Sequence, residues 1–304
     1  MEPMTAFPSP LSGTEFCAAP QTAIALFGMS GVGKTRLAQR LRQTENWFHY
    51  SIDYRIGTRY MGEYIVDDFK REAMKSPLLR ELLLSDSIHI NANITFENLK
   101  PLSRYLGKPG DVSKGGLPFE DYIARQRLHR DAELKSMRDC ATFIQKAKEI
   151  YAYDHFLCDM SGSLVEVVDP NDPKDVTLCS LADKLTFVLI ESTPADDEAL
   201  ARRFDLNPKP MYYNEAFLRS VWDSYLLEFN SAPDTVDPDD FIRWGFRRLL
   251  ARRRESYRAL ADNWGVTLRR EALGYLERLD PKTMEHAFME QVADALELAG
   301  SSGC

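Results

Sequence analysis

Long apolar runs are missing from this chain. No stretch approaches the roughly 18 consecutive apolar residues of a membrane-spanning helix, so no membrane segment is expected. Cysteine is sparse and scattered: the five (Cys17, Cys140, Cys158, Cys179, Cys304) include no C-x-x-C pair. That excludes a disulfide framework and a cysteine-based zinc site, and points to reduced thiols. The five histidines show no H-x-x-x-H spacing, so a histidine zinc site is not expected either. An excess of basic residues is also lacking. A formal net charge of −8 and a pI near 5.3 exclude general affinity for nucleic acid, which needs a basic surface. The opening MEPMTAFPSPLSGTEFCAAP has no basic stretch leading into an apolar one, so it is not a secretion signal. Its Pro, Ser and Gly content reads as a flexible tail over residues 1–21, and the protein as cytoplasmic. Repeats and low-complexity tracts are absent.

What is present is an ordinary globular composition, 44% hydrophobic and 28% charged over 304 residues. Short apolar runs alternate with helical periodicity. Thr22 to Phe27 suits a buried parallel strand, and Lys34 to Thr44 places Leu37, Ala38 and Leu41 on one helical face. WFHYSI reads as a second strand leading to Asp53. HFLCDM, LTFVLIES and GVTL are three more. Helices are expected in YIVDDFKREAM, in SPLLRELLLS and over Glu133–Tyr153, where Leu134, Met137, Ala141, Ile144, Ala147 and Tyr151 form a stripe. A further one follows the cap Thr193 and Pro194. Two last helices are expected over Phe241–Asn263 and Pro281–Ala299. Between SPLLRELLLS and the helix expected over Glu133–Tyr153, NLKPLSRYLGKPGDVSKGGLPFEDY reads as a long functional or mobile loop. The expected fold is α/β: a three-layer P-loop NTPase with a parallel sheet, one domain over 22–299, and a large mostly helical insertion over 60–150.

The sharpest signal is GMSGVGKT, which fits G-x-x-x-x-G-K-[ST] between a strand and a helix. Gly28, Met29, Ser30, Gly31, Val32, Gly33, Lys34 and Thr35 are the expected phosphate-binding residues. Glycines let the backbone wrap closely and turn N–H groups toward phosphate oxygens, and the helix adds its positive end. Lys34 would reach the terminal phosphates and Thr35 would offer a hydroxyl to Mg²⁺. The implied nucleotide is ATP with Mg²⁺. Such a site also needs a carboxylate at a neighbouring strand end. Asp159, closing HFLCD, is that candidate and with Thr35 makes the expected metal pair; capping a turn with Ser161 is the alternative. Ser161, Gly162 and Ser163 are expected to form a small, flexible turn that would face nucleotide or acceptor. Glu166, three residues beyond Ser163, is a second, weaker carboxylate candidate, with a solvated charge as the commoner reading of such a residue.

Asp53 is a second strand-end acid, with Arg55 and Arg59 close by. A carboxylate to orient a hydroxyl and guanidiniums to hold an anion make an acceptor pocket. A loop of compensating charges is the alternative. Residues 100–150 hold eleven Lys and Arg against seven Asp and Glu. This region would either clamp a phosphorylated acceptor or form a solvated helix face. The basic helix FRRLLARRRESYR would face the acidic DTVDPDD segment or solvent.

Taken together these stretches resemble the shikimate kinase and nucleoside monophosphate kinase branch of P-loop proteins. Asp53 followed by Ile56 is similar to the acceptor-binding D-x-x-I. LTFVLIESTPADDEALARRFDLNPKPMYY resembles the run from the fourth strand into the lid, which implies Arg202 or Arg203 as the catalytic lid arginine. RRESYRALADNWGVTL resembles their closing segment, which implies Arg253 on the adenine side. The chain also looks like bacterial proteins catalogued simply as ATPases. Ser51 stands where shikimate kinases often carry an aspartate, Lys209 replaces an arginine, DMSGS replaces a triple glycine, and the insertion is larger. These departures argue against shikimate as substrate. The resemblance implies a kinase with a small-molecule acceptor, catalytic groups being Lys34, Asp53, Asp159 and Arg202 or Arg203. The alternative is an ATPase or nucleotide-operated switch acting on a protein partner, and a third is a binding protein without turnover.

Overall fold

The computed structural model describes residues 7–8, 11–19 and 21–301. Five strands form one all-parallel sheet: β1 (Thr22–Phe27), β2 (Trp47–Ser51), β3 (His155–Asp159), β4 (Thr186–Ile190) and β5 (Gly265–Leu268). Their order across the sheet is β2-β3-β1-β4-β5. Near-continuous apolar strands are what a parallel sheet buried on both faces requires, and Ile24, Ala25, Leu26, Phe27, Phe156, Leu157 and Val188 are all buried. Helices lie in every crossover. Each of the five strands falls within a residue or two of where the apolar runs place it.

The order fixes where a ligand can sit. The chain leaves β1 toward β2 on one side of the sheet, and leaves β4 toward β5 on the other. Divergent connections open a crevice at the carboxyl ends of these neighbouring strands. The glycine loop after β1 lies there.

The chain divides into two compact units. The first holds the residues up to Ile52, Met137–Leu206 and those from Arg247 on, and contains the whole sheet; the second holds Asp53–Ser136 and Asn207–Phe246. Sequence reasoning placed one insertion over 60–150. The second unit begins earlier and recruits a later segment because its core is aromatic and long-range. Phe119 stacks on Trp222 at 4.6 Å, and Trp222 meets Phe241 edge-on at 4.8 Å.

Three local expectations differ from what is observed. Residues 13–18 of the expected tail form a helix, Gly13–Ala18, with Ser12 and Glu15 closing a capping box. Phe16 is buried, and the Thr14 backbone N–H donates to Glu297 at 3.0 Å, so the segment is tied down. The remainder of 1–21 lies partly outside the described residues. The long loop contains a helix, Lys100–Leu106, and a stapled turn, with Asp111 N–H donating to the Val236 carbonyl at 2.8 Å. The single helix expected over 133–153 is two, Phe119–Arg138 and Cys140–Glu149, broken at Asp139. No helix of the described residues is long and apolar enough to cross a membrane.

One residue of the sheet carries a pH prediction. His155 opens β3, its ring 4.7 Å from that of Trp47, and its Nδ1 accepts from the Thr22 N–H at 3.4 Å. Burial pushes its pKa below the ordinary histidine value, against the opposing pull of Glu285 and Asp154. The fold thus favours the neutral imidazole, while the unfolded chain takes up a proton near pH 6.5. The stability contributed by this residue is therefore complete above that value and is lost as pH falls through it. Urea midpoints taken at about pH 8 and about pH 5.5 should fall less in His155→Gln than in the wild type. Equal falls in both would show that other groups set the acid response.

Candidate functional site

The site is built on the turn between β1 and the helix Lys34–Arg42. Gly28 has φ 140°, and a Cβ there would lie 2.5 Å from the Ile190 carbonyl oxygen at the end of β4. Only glycine meets both demands: a backbone conformation that L residues avoid, and contact with a neighbouring strand. Gly33, which caps the helix, has φ 107°. A helix start presents N–H groups and positive potential outward, which makes it an anion site. Lys34, buried, bends its Nζ back over the loop to donate to the Gly28 and Met29 carbonyls at 2.7 and 3.1 Å.

Thr35, the next residue, donates from Oγ1 to Oδ2 of Asp159 at 2.8 Å. Asp159 ends β3, the strand between β1 and β2, and Met160 N–H bonds to the Leu26 carbonyl at 3.0 Å, which fixes the strand end beside β1. Hydroxyl and carboxylate oxygens are hard donors, the type that Mg²⁺ takes. This ion binds through one or two protein oxygens plus phosphate and water rather than in an all-protein cage. The donor set fits Mg²⁺.

His49 was not anticipated. Its Nε2 lies 3.6 Å from Asp159 Oδ2, and both side chains are buried. The signal in the sequence is faint: His49 shares the β2 face of Ser51, and Ser51 is in register with Asp159.

The turn after β3 also reaches the loop. Gly162 stands beside Ser30, and its carbonyl accepts from the Tyr257 hydroxyl at 3.0 Å. Ser161 and Ser163 are buried, their hydroxyls 3.2 Å apart. This turn is packed rather than loose.

Of the two lid candidates the structure separates one from the other. Both lie on the helix Pro194–Leu206. A Cβ on Gly31 would meet the Arg203 guanidinium at 3.1 Å, whereas Arg202 is exposed and paired with Glu198 at 3.0 Å. Helical rotation of about 100° per residue points neighbours different ways. A second arginine at the loop, Arg270, went unpredicted. Its Nη1 donates to the Val32 carbonyl at 2.9 Å, and its Nε lies 3.7 Å from Asp196. It opens the helix Arg270–Leu276, two residues past β5, where nearness to a strand end could have flagged it. Burial pushes the Asp196 carboxyl up, but hydrogen bonds from Thr193 and the charges of Arg270 and Arg203 outweigh this and hold it low.

Arg253 is buried, with its Nε 3.2 Å from Glu166 Oε1. Glu166 is only 2% exposed, so the expectation of a solvated charge is overturned. Its place on the short helix Leu164–Val167 turns it inward to the arginine. Of the other arginines of this basic stretch, Arg247 pairs with Asp205, Arg252 with Glu166, Arg254 with Asp197 and Arg258 with Glu191.

Asp53, Arg55 and Arg59 belong to the second unit. β2 stops at Ser51; Asp53 and Arg55 lie on a helical turn, Ile52–Arg55, and Arg59 on a π-helical turn, Ile56–Tyr60. The Arg55 guanidinium lies 5.7 Å over the Tyr60 ring. No protein-family model, curated protein or solved structure matches the chain. Its chemistry is read from its own residues.

Proposed function

We propose that the protein is a three-layer P-loop NTPase that binds Mg-ATP at Gly28–Thr35 and transfers the terminal phosphoryl group to a small-molecule acceptor. The observation that carries this reading is the 2.8 Å contact between Thr35 and Asp159, made at the start of a helix that follows a glycine loop. Residues 124 apart in sequence supply the two oxygens such a site needs. Bound Mg²⁺ would neutralise charge on the transferred group. Lys34 would do the same from the loop, and Arg203 and Arg270 would hold the phosphates from either side. In phosphoryl transfer the bond from phosphorus to the leaving oxygen breaks as one to the acceptor oxygen forms. The protein contributes positioning and electrostatic stabilisation. Asp53, Arg55 and Arg59 are the acceptor-recognising groups of the second unit in this reading, and Arg253 supports the adenine side through its hold on Glu166.

The test is ADP release from Mg-ATP with and without pooled cell metabolites. A rise that appears only with metabolites supports transfer to a small molecule. Basal hydrolysis that metabolites leave unchanged would favour the second reading, an ATPase or switch with a protein partner; the separate core of the second unit favours that reading. Asp159→Asn keeps an acceptor for Thr35 but removes a charge. It should raise the Mg²⁺ needed for half-maximal turnover by about tenfold or more. An unchanged Mg²⁺ requirement would remove Asp159 from the metal site.

A further inference from the structure

We propose that the second unit carries its own binding site for a polyanionic small molecule, of the class of sugar or polyol bisphosphates. The site is a cleft of about 980 Å³ lying wholly within that unit, at the upper end of the size usual for small-molecule pockets. The inference stands on this unit alone and does not depend on nucleotide binding at Gly28–Thr35.

The charge balance of the lining is the first observation. Seven Lys and Arg side chains border the cleft against four Asp and Glu, in a protein whose net charge is −8. Three of the four carboxylates are already neutralised from within: Asp68 by Arg125 at 2.8 Å, Glu72 by Lys75 at 2.6 Å and Asp239 by Lys108. Lys114 is held by Asp237 at 3.1 Å, just outside the lining. Lys100 and Lys209 make no ion pair within 4 Å among the described residues, and Arg104 acts only at longer range on Glu72, which Lys75 already holds; Glu97 is the fourth carboxylate of the lining. The cleft thus keeps an excess of positive charge, whose mutual repulsion a bound anion relieves.

Their placement is the second observation. Lys100 and Arg104 are four apart on the helix Lys100–Leu106, hence on the same face. Lys100 is the first residue of that helix, the end where a cation is opposed by the helix dipole. Lys209 stands between Pro208 and Pro210. Proline fixes its own φ and restricts the residue before it to extended backbone, so this lysine is presented on a stiff segment. The remaining wall is the 107–117 turn. It is wound so tightly that a Cβ on Gly116 would lie 2.7 Å from Gly110 backbone and one on Gly110 2.4 Å from the Val236 carbonyl. A rigid wall and stiffly held cations reduce the ordering cost of binding.

Two or more phosphate groups on one small molecule would match three cations spread over a cleft of this size; a single carboxylate would not. Calorimetric titration of the full chain with fructose bisphosphate tests this. Saturable binding is expected, with equal affinity in the wild type and in Lys34→Ala, which disables the glycine loop. The triple variant Lys100→Ala, Arg104→Ala, Lys209→Ala should bind at least about a hundredfold more weakly, since each charge-assisted contact is worth roughly tenfold or more. Its affinity for Mg-ATP should stay unchanged and its melting temperature should not fall, all three side chains being on the surface. Lys209→Arg should retain binding. The proposal is overturned if the wild type shows no saturable binding, or if the triple variant binds as the wild type does. It is equally overturned if Lys34→Ala abolishes the signal while the triple variant keeps it, which would assign the anion to the glycine loop.

Discussion

Replacing Lys34 with alanine is expected to lower ATP turnover by about a hundred- to a thousandfold, the range seen when one preorganised donor to a developing charge is removed. The argument is geometric. Lys34 is 8% exposed, and its Nζ lies within 3.1 Å of two carbonyls of the loop it closes. An ammonium held there is desolvated and aimed at the space the loop encloses, where its charge is worth far more than in water. Lys34→Arg should fail as well, because a planar five-donor fork does not fit a position shaped for a compact ammonium. The fold itself should tolerate the alanine. The substitution removes a buried charge along with its hydrogen bonds, and alanine favours helix at the first position of Lys34–Arg42. Steady-state ADP release and thermal melting, run side by side, check both halves. Turnover that survives Lys34→Ala would take the nucleotide away from Gly28–Thr35. Turnover lost together with the fold would leave the loop a structural turn.

What could be read from the sequence is local. The Gly28–Thr35 loop is a contiguous pattern with a strand before it and a helix after it, so its conformation follows from residues within reach of one another. Asp159 is legible for a similar reason: an acid at the end of an apolar run marks a strand end, and strand ends of a parallel sheet face one way. The structure then brings it to Thr35. The rest depends on phase and on distant partners. Arg202 and Arg203 are adjacent in sequence, and only the rotation of their helix against the loop decides that Arg203 meets Gly31. Glu166 looked solvated because its partner, Arg253, is 87 residues away on another helix. His49 and Arg270 gain meaning only through the strand order and the β5 end. The second unit takes in Asn207–Phe246 along with Asp53–Ser136, a join that stacking of Phe119 on Trp222 makes and that leaves no trace in local periodicity. Asp53 was rightly placed just past a strand, yet the chain turns there into the second unit.

Glu166→Ala is expected to be the most destabilising of the substitutions considered, by about 3–5 kcal/mol, the cost of breaking a buried ion pair from one side. Glu166 is fully enclosed, with Arg253 at 3.2 Å and Arg252 at 3.6 Å; the Arg253 side chain is 4% exposed and that of Arg252 42%. Truncation leaves the Arg253 guanidinium in a site with little water to replace its carboxylate. Arg253→Leu should cost a comparable amount by stranding the carboxylate, less whatever Arg252 recovers from the solvent side. Removing both charges, as in Glu166→Leu with Arg253→Met, should restore most of the loss, because an apolar pair of similar volume is often as stable as a buried ion pair. Urea unfolding of the wild type, Glu166→Leu, Arg253→Met and the two combined forms a double-mutant cycle and reads the coupling directly. Single variants that each cost under about 1 kcal/mol would mean that water screens the pair despite its burial. The cycle also bears on the site. Glu166 is three residues past Ser163, and its N–H donates to the Ser163 carbonyl at 2.8 Å, so the ion pair pins the turn that carries Gly162 beside Ser30. If the apolar pair restores stability but not nucleotide affinity, the charges are kept to position that turn. If it restores both, they are a packing solution that an apolar core serves equally well.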